Sequence, residues 1–458
     1  MSILIRPPRD RRAILHRQFR RLRRPDRKRL WDGEPENSRR RPLAFLAILA
    51  ELGLLLAVFD AYRLETRAFR MLALFSVTAL PLHYLTPFRW KKPVFVGLSI
   101  VGLTMVQGPV TTMAVVTAGL GLILVAVSPL RWSIRVGVIA TAAAWMALHR
   151  PDGDTGPEAV SSGFVPVLAS IFMFRMIVFL YEQKHAKGPE PLADVLGYFF
   201  LMPNAAFTHF PVVDFRTYQR GYFSADIHEI QRTGVAMIAR GMLHLLAYRA
   251  IDRLLMISPE AVVDPMSLAQ YVGCNYLLYL RVSGQFHMAC GLLHLYGFRL
   301  PETHHHYLLA SSFTDYWRRI NIYWKDFMVR VVFNPVVFRL KRWPRPLALA
   351  AATTSVFLAT WLLHAYQSFW LRGAWGFSGP DTLFWGILGG LVLVNVQIDA
   401  RSSGGGRIDR RASRGIFQGI WHAVRVVVTL TTIAVLWSLW SSPSVSGWWA
   451  MYRRGLGY

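Results

Sequence analysis

Pro42-Leu43-Ala44-Phe45-Leu46-Ala47-Ile48-Leu49-Ala50-Glu51-Leu52-Gly53-Leu54-Leu55-Leu56-Ala57-Val58-Phe59-Asp60-Ala61 is the stretch that decides the fold class. Its apolar residues form a block rather than a one-sided stripe. A helix needs about 20 mainly apolar residues to cross the hydrocarbon of a bilayer. Comparable blocks follow at Phe69–Leu85, Pro93–Gln107, Thr111–Pro129, Ser133–Leu148 and Phe164–Tyr181. Later ones run over Val235–Met256, Leu268–Leu280, Met288–Phe298, Leu347–Leu371, Phe384–Val396 and Ile416–Trp440. The pattern predicts an all-α polytopic membrane protein with roughly 9–12 membrane helices, the shorter blocks being broken or re-entrant.

Composition agrees. The 458 residues are 53% hydrophobic and 17% charged, with mean hydropathy +0.30. A soluble domain carries about 25% charged residues. The net charge of +26 would suit nucleic acid, but its distribution argues against that partner. Roughly a quarter of the Lys and Arg residues precede Pro42, and basic residues flanking a first span hold it with that side cytoplasmic. They also attract the headgroups of anionic membrane lipids. The basic region is too long for a cleavable signal peptide, and no small-residue cleavage site follows the apolar run. A second basic stretch, Arg401 to Arg414 around Gly404-Gly405-Gly406, reads as a cytoplasmic connector. The two cysteines, Cys274 and Cys290, lie in apolar segments and make neither a disulfide framework nor a metal spacing.

By texture the chain divides into a basic tail (1–41), conventional spans (42–185), a polar and aromatic middle (186–371) and further spans (372–458). Polar residues at membrane depth line protein interiors or water-filled cavities, so chemistry belongs in the middle section. Tyr198-Phe199-Phe200-Leu201-Met202-Pro203-Asn204-Ala205 places a proline inside an apolar run, which predicts a broken or re-entrant element with Asn204 capping the next turn. The segment from Phe313 to Phe327 is too polar to span. Its aromatics recur every three or four residues, as on one face of a helix lying at an interface or plugging a cavity.

His364 stands within Phe357-Leu358-Ala359-Thr360-Trp361-Leu362-Leu363-His364-Ala365-Tyr366, an apolar run with no acid within one turn. Removal from water favours the neutral imidazole, the form a general base must have. A core histidine bonded to a carbonyl is the plainer reading of such a residue. Asn321 is the second candidate, since an amide can donate to an oxyanion or orient a carbonyl. Trp317, Arg318, Arg319, Trp324, Lys325, His287 and Trp361 are the candidate substrate-binding residues. His304-His305-His306 are consecutive, so their side chains diverge and they do not make a metal site. His287 and His294 lie two helical turns apart and could line one cavity. No nucleophile elbow, phosphate loop, dinucleotide fingerprint or acid pair is present.

Three blocks resemble the membrane-bound O-acyltransferase (MBOAT) superfamily, in its bacterial branch of alginate O-acetylases and teichoic-acid D-alanyl transfer proteins. Tyr279-Leu280-Arg281-Val282-Ser283-Gly284-Gln285-Phe286-His287-Met288-Ala289 is similar to the family's Phe-Ser-Gly-Tyr-Ser-Asp-Met-Ala helix. Gly297-Phe298-Arg299-Leu300-Pro301-Glu302 with Ser311-Ser312-Phe313-Thr314-Asp315-Tyr316-Trp317-Arg318-Arg319-Ile320-Asn321 resembles its Pro-Glu-Asn-Phe and Ser-Phe-x-Asp-Phe-Trp-x-Arg-Trp-His/Asn motifs. Trp361-Leu362-Leu363-His364-Ala365 resembles its Leu-Trp-His-Gly. Two departures stand out: His304-His305-His306 replaces an Asn-Phe segment, and Gln285-Phe286-His287 replaces Tyr-Ser-Asp.

The resemblance covers residues 190–400 and implies a helical bundle with re-entrant and interfacial helices, in which 186–371 is the catalytic core. Funnels from both faces would meet at His364 as catalytic residue, with Asn321 at the second polar site. It implies transfer of acetyl or another short acyl group to a hydroxyl of a cell-envelope glycan or lipid in the bacterial inner membrane. The donor would be an acyl-CoA or acyl-carrier-protein thioester, with no bound cofactor or metal, and the partners would include an acyl-carrier or periplasmic protein. The alternatives are a transporter or flippase, which the lack of repeat symmetry disfavours, and a non-catalytic scaffold of an envelope-modifying complex.

Overall fold

The computed structural model describes residues 35–148, 164–184, 186, 188–207, 213–402 and 416–458. The basic tail before residue 35 and nearly all of the Arg401–Arg414 connector fall outside them. Among the described residues there is helix and no β-strand. The protein is an all-α polytopic membrane protein.

The first section follows its apolar blocks: α1 (Pro42–Ala61), α2 (Arg67–Thr78) running on into α3 (Leu80–Leu85), α4 (Phe88–Gln107), α5 (Pro109–Val127), α6 (Trp132–Leu148) and α7 (Phe164–Gln183). Local chemistry sets the ends. Pro42 opens α1, where its missing N–H costs nothing. Thr66 caps α2, its Oγ1 accepting from Phe69 N at 3.3 Å. Gly108, at φ +81°, ends α4, and Pro109 starts α5 with no loop between.

The middle is built of shorter pieces. They are α8 (Leu192–Phe199), a 3₁₀ turn (Met202–Ala205), α9 (Phe215–Gly221), α10 (Ile227–Ala250), α11 (Pro265–Leu277), α12 (Leu280–Leu295), α13 (Phe313–Arg319), α14 (Ile322–Met328) and α15 (Asn334–Arg339). Long helices return with α16 (Arg345–Arg372), α17 (Gly379–Ser402) and α18 (Ile416–Trp440), and α19 (Val445–Gly455) follows.

Seven described helices are long and apolar enough to cross a membrane: α1, α2 with α3, α5, α7, α16, α17 and α18. The other blocks fall short for visible reasons. The first turns of α4 carry Arg89, Lys91 and Lys92, and α6 has 17 residues. Arg232 and Arg240 lie exposed along α10, while α11 and α12 are two short helices broken at Leu278–Tyr279.

Contacts sort the helix ends onto two rims. On one, Arg41 pairs with Asp226 at 3.3 Å, Lys92 with Asp194, and Arg330 with both Glu182 and Asp214. On the other, Arg249 donates to Tyr62 O, Arg281 grips Glu65 with two bonds of 3.0 and 3.1 Å, and Arg454 donates to Val262 O. The end of α16 lies on this second rim, where Trp370 packs with Val165 and Ala169 at the start of α7.

The expected break at Pro203 is present, but Asn204 does not cap a turn. Its Oδ1 accepts from the Arg175 guanidinium at 2.5 Å, and its Nδ2 donates to Ser170 O at 3.2 Å. Arg175 stands inside α7 and also donates to Phe199 O at 3.1 Å, one of the carbonyls that the end of α8 leaves unpaired.

Helices α10 and α12 cross at backbone contact through Gly234, Gly241, Gly284 and Gly291. A Cβ on Gly241 would stand 2.7 Å from Gly284 O, and one on Gly291 2.7 Å from Gly234 O. Gly241→Val is therefore expected to push the pair apart and destabilise the protein by about 1–3 kcal/mol. The checks are thermal unfolding in nanodiscs and the yield of monodisperse protein.

Candidate functional site

α16 places His364 eight residues before its end, about 12 Å below the second rim at 1.5 Å per residue. Three indoles surround the ring. Trp385 of α17 lies 4.8 Å away between centroids, Trp324 of α14 5.5 Å, and Trp440 at the end of α18 6.0 Å. Trp324 itself packs on Phe174, midway along α7, at 5.0 Å. The short helix α14 therefore reaches membrane depth rather than lying at the surface.

An acid joins this cage from α17, a contact that no motif in the sequence announces. Asp381, in the first turn of α17, is 7% exposed, and its Oδ1 accepts from Trp440 Nε1 at 2.8 Å. Trp361 and Trp385 also lie against its carboxyl. Their Nε1 atoms, and Asp381 Oδ2, are buried with no hydrogen-bond partner among the described residues. A lone carboxylate between Pro380 and an apolar run with Trp385 was the available signal, because an ionisable residue at membrane depth marks a candidate site.

The expected single helix from Phe313 to Phe327 is broken. Ile320 is extended and Asn321 adopts the left-handed conformation, φ 38° and ψ 63°. The reason is long-range. The loop before the segment pairs backbone with the break, Ile322 N donating to Thr303 O at 2.7 Å and His305 N to Arg319 O at 2.9 Å. Asn321 caps α14, its Oδ1 accepting from Trp324 N at 3.4 Å. It thus acts on the residue that faces His364. Asn321→Ala is expected to cost about 1–2 kcal/mol, from the lost cap and the left-handed backbone, and Asn321→Gly to recover most of it. Thermal unfolding of the purified variants checks both.

The remaining candidates divide. Trp361 joins the cage through Asp381 and packs on Phe377 at 5.0 Å. Trp317 packs on Phe357, two turns below His364 on α16, at 4.8 Å. Arg318 is half-buried on α13. Arg319 and Lys325 are held locally, Arg319 by Asp315 at 2.8 Å and Lys325 by Asp326.

His287 belongs to a second polar centre between α10, α12 and the 303–306 loop. Thr303 Oγ1 lies 3.4 Å from His287 Nδ1 and 3.1 Å from His304 Nδ1, and His304 Nε2 meets the Tyr279 hydroxyl at 2.8 Å. His244 closes the group, its ring 5.3 Å from that of His287. Burial, reinforced by His287 and His244, holds His304 well below the ordinary histidine range. The consecutive histidines diverge only in part: His304 is buried in this centre, whereas the His305 and His306 rings lie 4.5 Å apart, with His305 bonded to Glu302 at 3.1 Å and His306 exposed. His294 bonds to Cys290 O at 2.8 Å, within its own helix. The two centres are joined by edge-to-face ring contacts, Tyr279 with Trp437 at 5.2 Å and Trp437 with Trp440 at 4.9 Å.

No family model and no curated protein matches the chain. The site must be read from its own groups. An imidazole in an aromatic cage can take a proton from a hydroxyl, and a neighbouring carboxylate and indole N–H groups can bind one. Both cysteines are free and buried.

Proposed function

We propose that the protein is a membrane O-acyltransferase in which His364 is the general base. One observation carries this reading: His364 stands at membrane depth between Trp324, reaching in on α14, and the Asp381–Trp385–Trp440 group near the opposite rim. A ring so placed lies between groups that come from both halves of the molecule, the position that a reaction between substrates from opposite faces of a membrane would use. The likeness of the Phe313–Asn321 and Trp361–Ala365 segments to the MBOAT superfamily supports the same reading.

In the proposed reaction the acceptor hydroxyl gives its proton to His364 as its oxygen bonds to the thioester carbonyl carbon. The carbon–sulfur bond then breaks, and the thiolate leaves with the proton returned by the imidazolium. The enzyme needs no covalent intermediate and no metal for this balance. Asn321 acts by holding the turn that delivers Trp324.

The rim that carries Arg41 also carries Lys91, Lys92, Arg330, Lys341 and Arg342, and α17 returns to it where the Arg401–Arg414 connector begins. We infer that this rim is cytoplasmic in a bacterial inner membrane, with the N-terminus on the same side. A small surface cleft lies towards this rim beside α14, with Asp214, Thr217, Tyr323, Asp326 and Arg330 in its walls. A thioester of coenzyme A or a carrier protein would approach from this side, where the basic residues of the rim favour an anionic donor.

The test is thioester consumption by protein in nanodiscs, with envelope glycans from a deletion strain as acceptors. Acceptor-dependent release of thiol, with acyl mass appearing on the glycan, is expected. Release that does not depend on an acceptor, or none at all, would sink the reading.

A further inference from the structure

Three indoles on three different helices turn to one carboxylate beside the His364 cage. Trp440, the last residue of α18, donates Nε1–H to Asp381 Oδ1 at 2.8 Å. Trp361 of α16 and Trp385 of α17 also lie against the carboxyl. No bond from either Nε1, or to Asp381 Oδ2, is made elsewhere among the described residues. The acid is itself held on its own helix. It sits in the first turn of α17, where its backbone N–H donates to Ser378 Oγ at 3.1 Å and the helix N-terminus favours a negative charge.

The residue type follows from the donors. An indole N–H only donates, so a group that serves three of them must only accept. An ionised carboxylate offers about four lone-pair sites and no competing N–H. An asparagine would accept on one side and turn its own donors towards the remaining indoles. Two of the three indoles are walls of the cage, Trp385 at 4.8 Å and Trp440 at 6.0 Å from the His364 ring. The third, Trp361, precedes His364 by one turn of α16. Trp385 follows Asp381 by four residues, so acid and ring share one face of α17. A plain tie between helices would steady the bundle as a whole. Here the tied groups are the rings against which the imidazole lies, so loosening the tie frees His364 first.

We propose that Asp381 is a positioning residue for His364. Its carboxylate gathers the indole N–H groups of Trp361, Trp385 and Trp440 and so fixes the walls that set the place of the imidazole. Its effect on turnover rests on the acyl-transfer reading above; its effect on the ring does not.

The rate at which diethyl pyrocarbonate modifies His364 in the full chain in nanodiscs, read by peptide mass spectrometry, tests it. Asp381→Asn, which keeps the size of the side chain, should speed that modification about tenfold, as expected when a hydrogen bond to a charged group no longer closes the cage. Asp381→Glu, which keeps the accepting oxygens, should lie nearer the parent. Trp440→Phe removes one donor and leaves the acid, and should give part of the same acceleration. His287, in the second polar centre, is the internal control and should keep its parental rate. A parental rate at His364 in both Asp381→Asn and Trp440→Phe overturns the proposal. So does an equal acceleration at His287, which would mean a general loosening of the bundle. In acyl transfer, Asp381→Asn should lower kcat about tenfold and leave the KM for thioester unchanged. Faster modification of His364 in a chain that moves no acyl group would refute the transferase reading and leave the positioning role standing. Lost transfer with a parental modification rate would do the reverse.

Discussion

His364→Ala should lower acyl transfer by about 10²–10⁴-fold, the usual contribution of a positioned general base. The alanine also empties the space between Trp324, Trp385 and Trp440, so a loss of activity could in principle come from a collapsed cage. His364→Phe separates the two effects, because a six-membered ring refills the space between the indoles and cannot accept a proton. Both variants are expected to insert, to elute as the parent does and to bind thioester donor normally, yet to transfer at the background rate. Near-normal turnover in the phenylalanine variant would remove His364 from the chemistry. The measurement is single-turnover acyl transfer in nanodiscs, which isolates the chemical step from product release.

Arg175→Leu carries the largest expected cost to stability. The guanidinium is 2% exposed, inside a membrane span, and holds Asn204 and the last carbonyls of α8. Leucine would leave those acceptors unpaired at membrane depth, for a loss of about 3–5 kcal/mol. Arg175→Lys keeps the charge but not the planar fork that reaches Asn204 and Phe199 together, and should fall between the two. Unfolding of both variants in bicelles, followed by tryptophan emission, gives the comparison. A parent-like stability for the leucine variant would mean that the α8 break holds without its buried cation.

What could be read from the sequence follows the range of each interaction. Spans such as Pro42–Ala61 depend on composition along one helix, so they were legible, as was His364 inside its own. The break at Pro203 was legible because proline acts on its own backbone. The link from Asp381 to His364 is not legible, since it runs through Trp385 and Trp440 and depends on how α16, α17 and α18 pack. The aromatic spacing from Phe313 to Phe327 suggested an unbroken helix because periodicity is blind to the Thr303–Ile322 and His305–Arg319 backbone bonds. Arg175 lies in a section whose composition is that of plain spans, although a lone ionisable residue in Phe172-Met173-Phe174-Arg175-Met176 is itself a signal.

The groups around His364 also have an order of arrival. Phe174 and Trp324 leave the ribosome before the histidine, Asp381 and Trp385 shortly after it, and Trp440 at the end of α18, far along the chain. Until that last long helix is threaded into the bilayer, the imidazole lacks one wall and Asp381 lacks its bonded indole. The six earlier crossings among the described residues can be laid down without it. The proposed site is complete only when the seventh described crossing is in place.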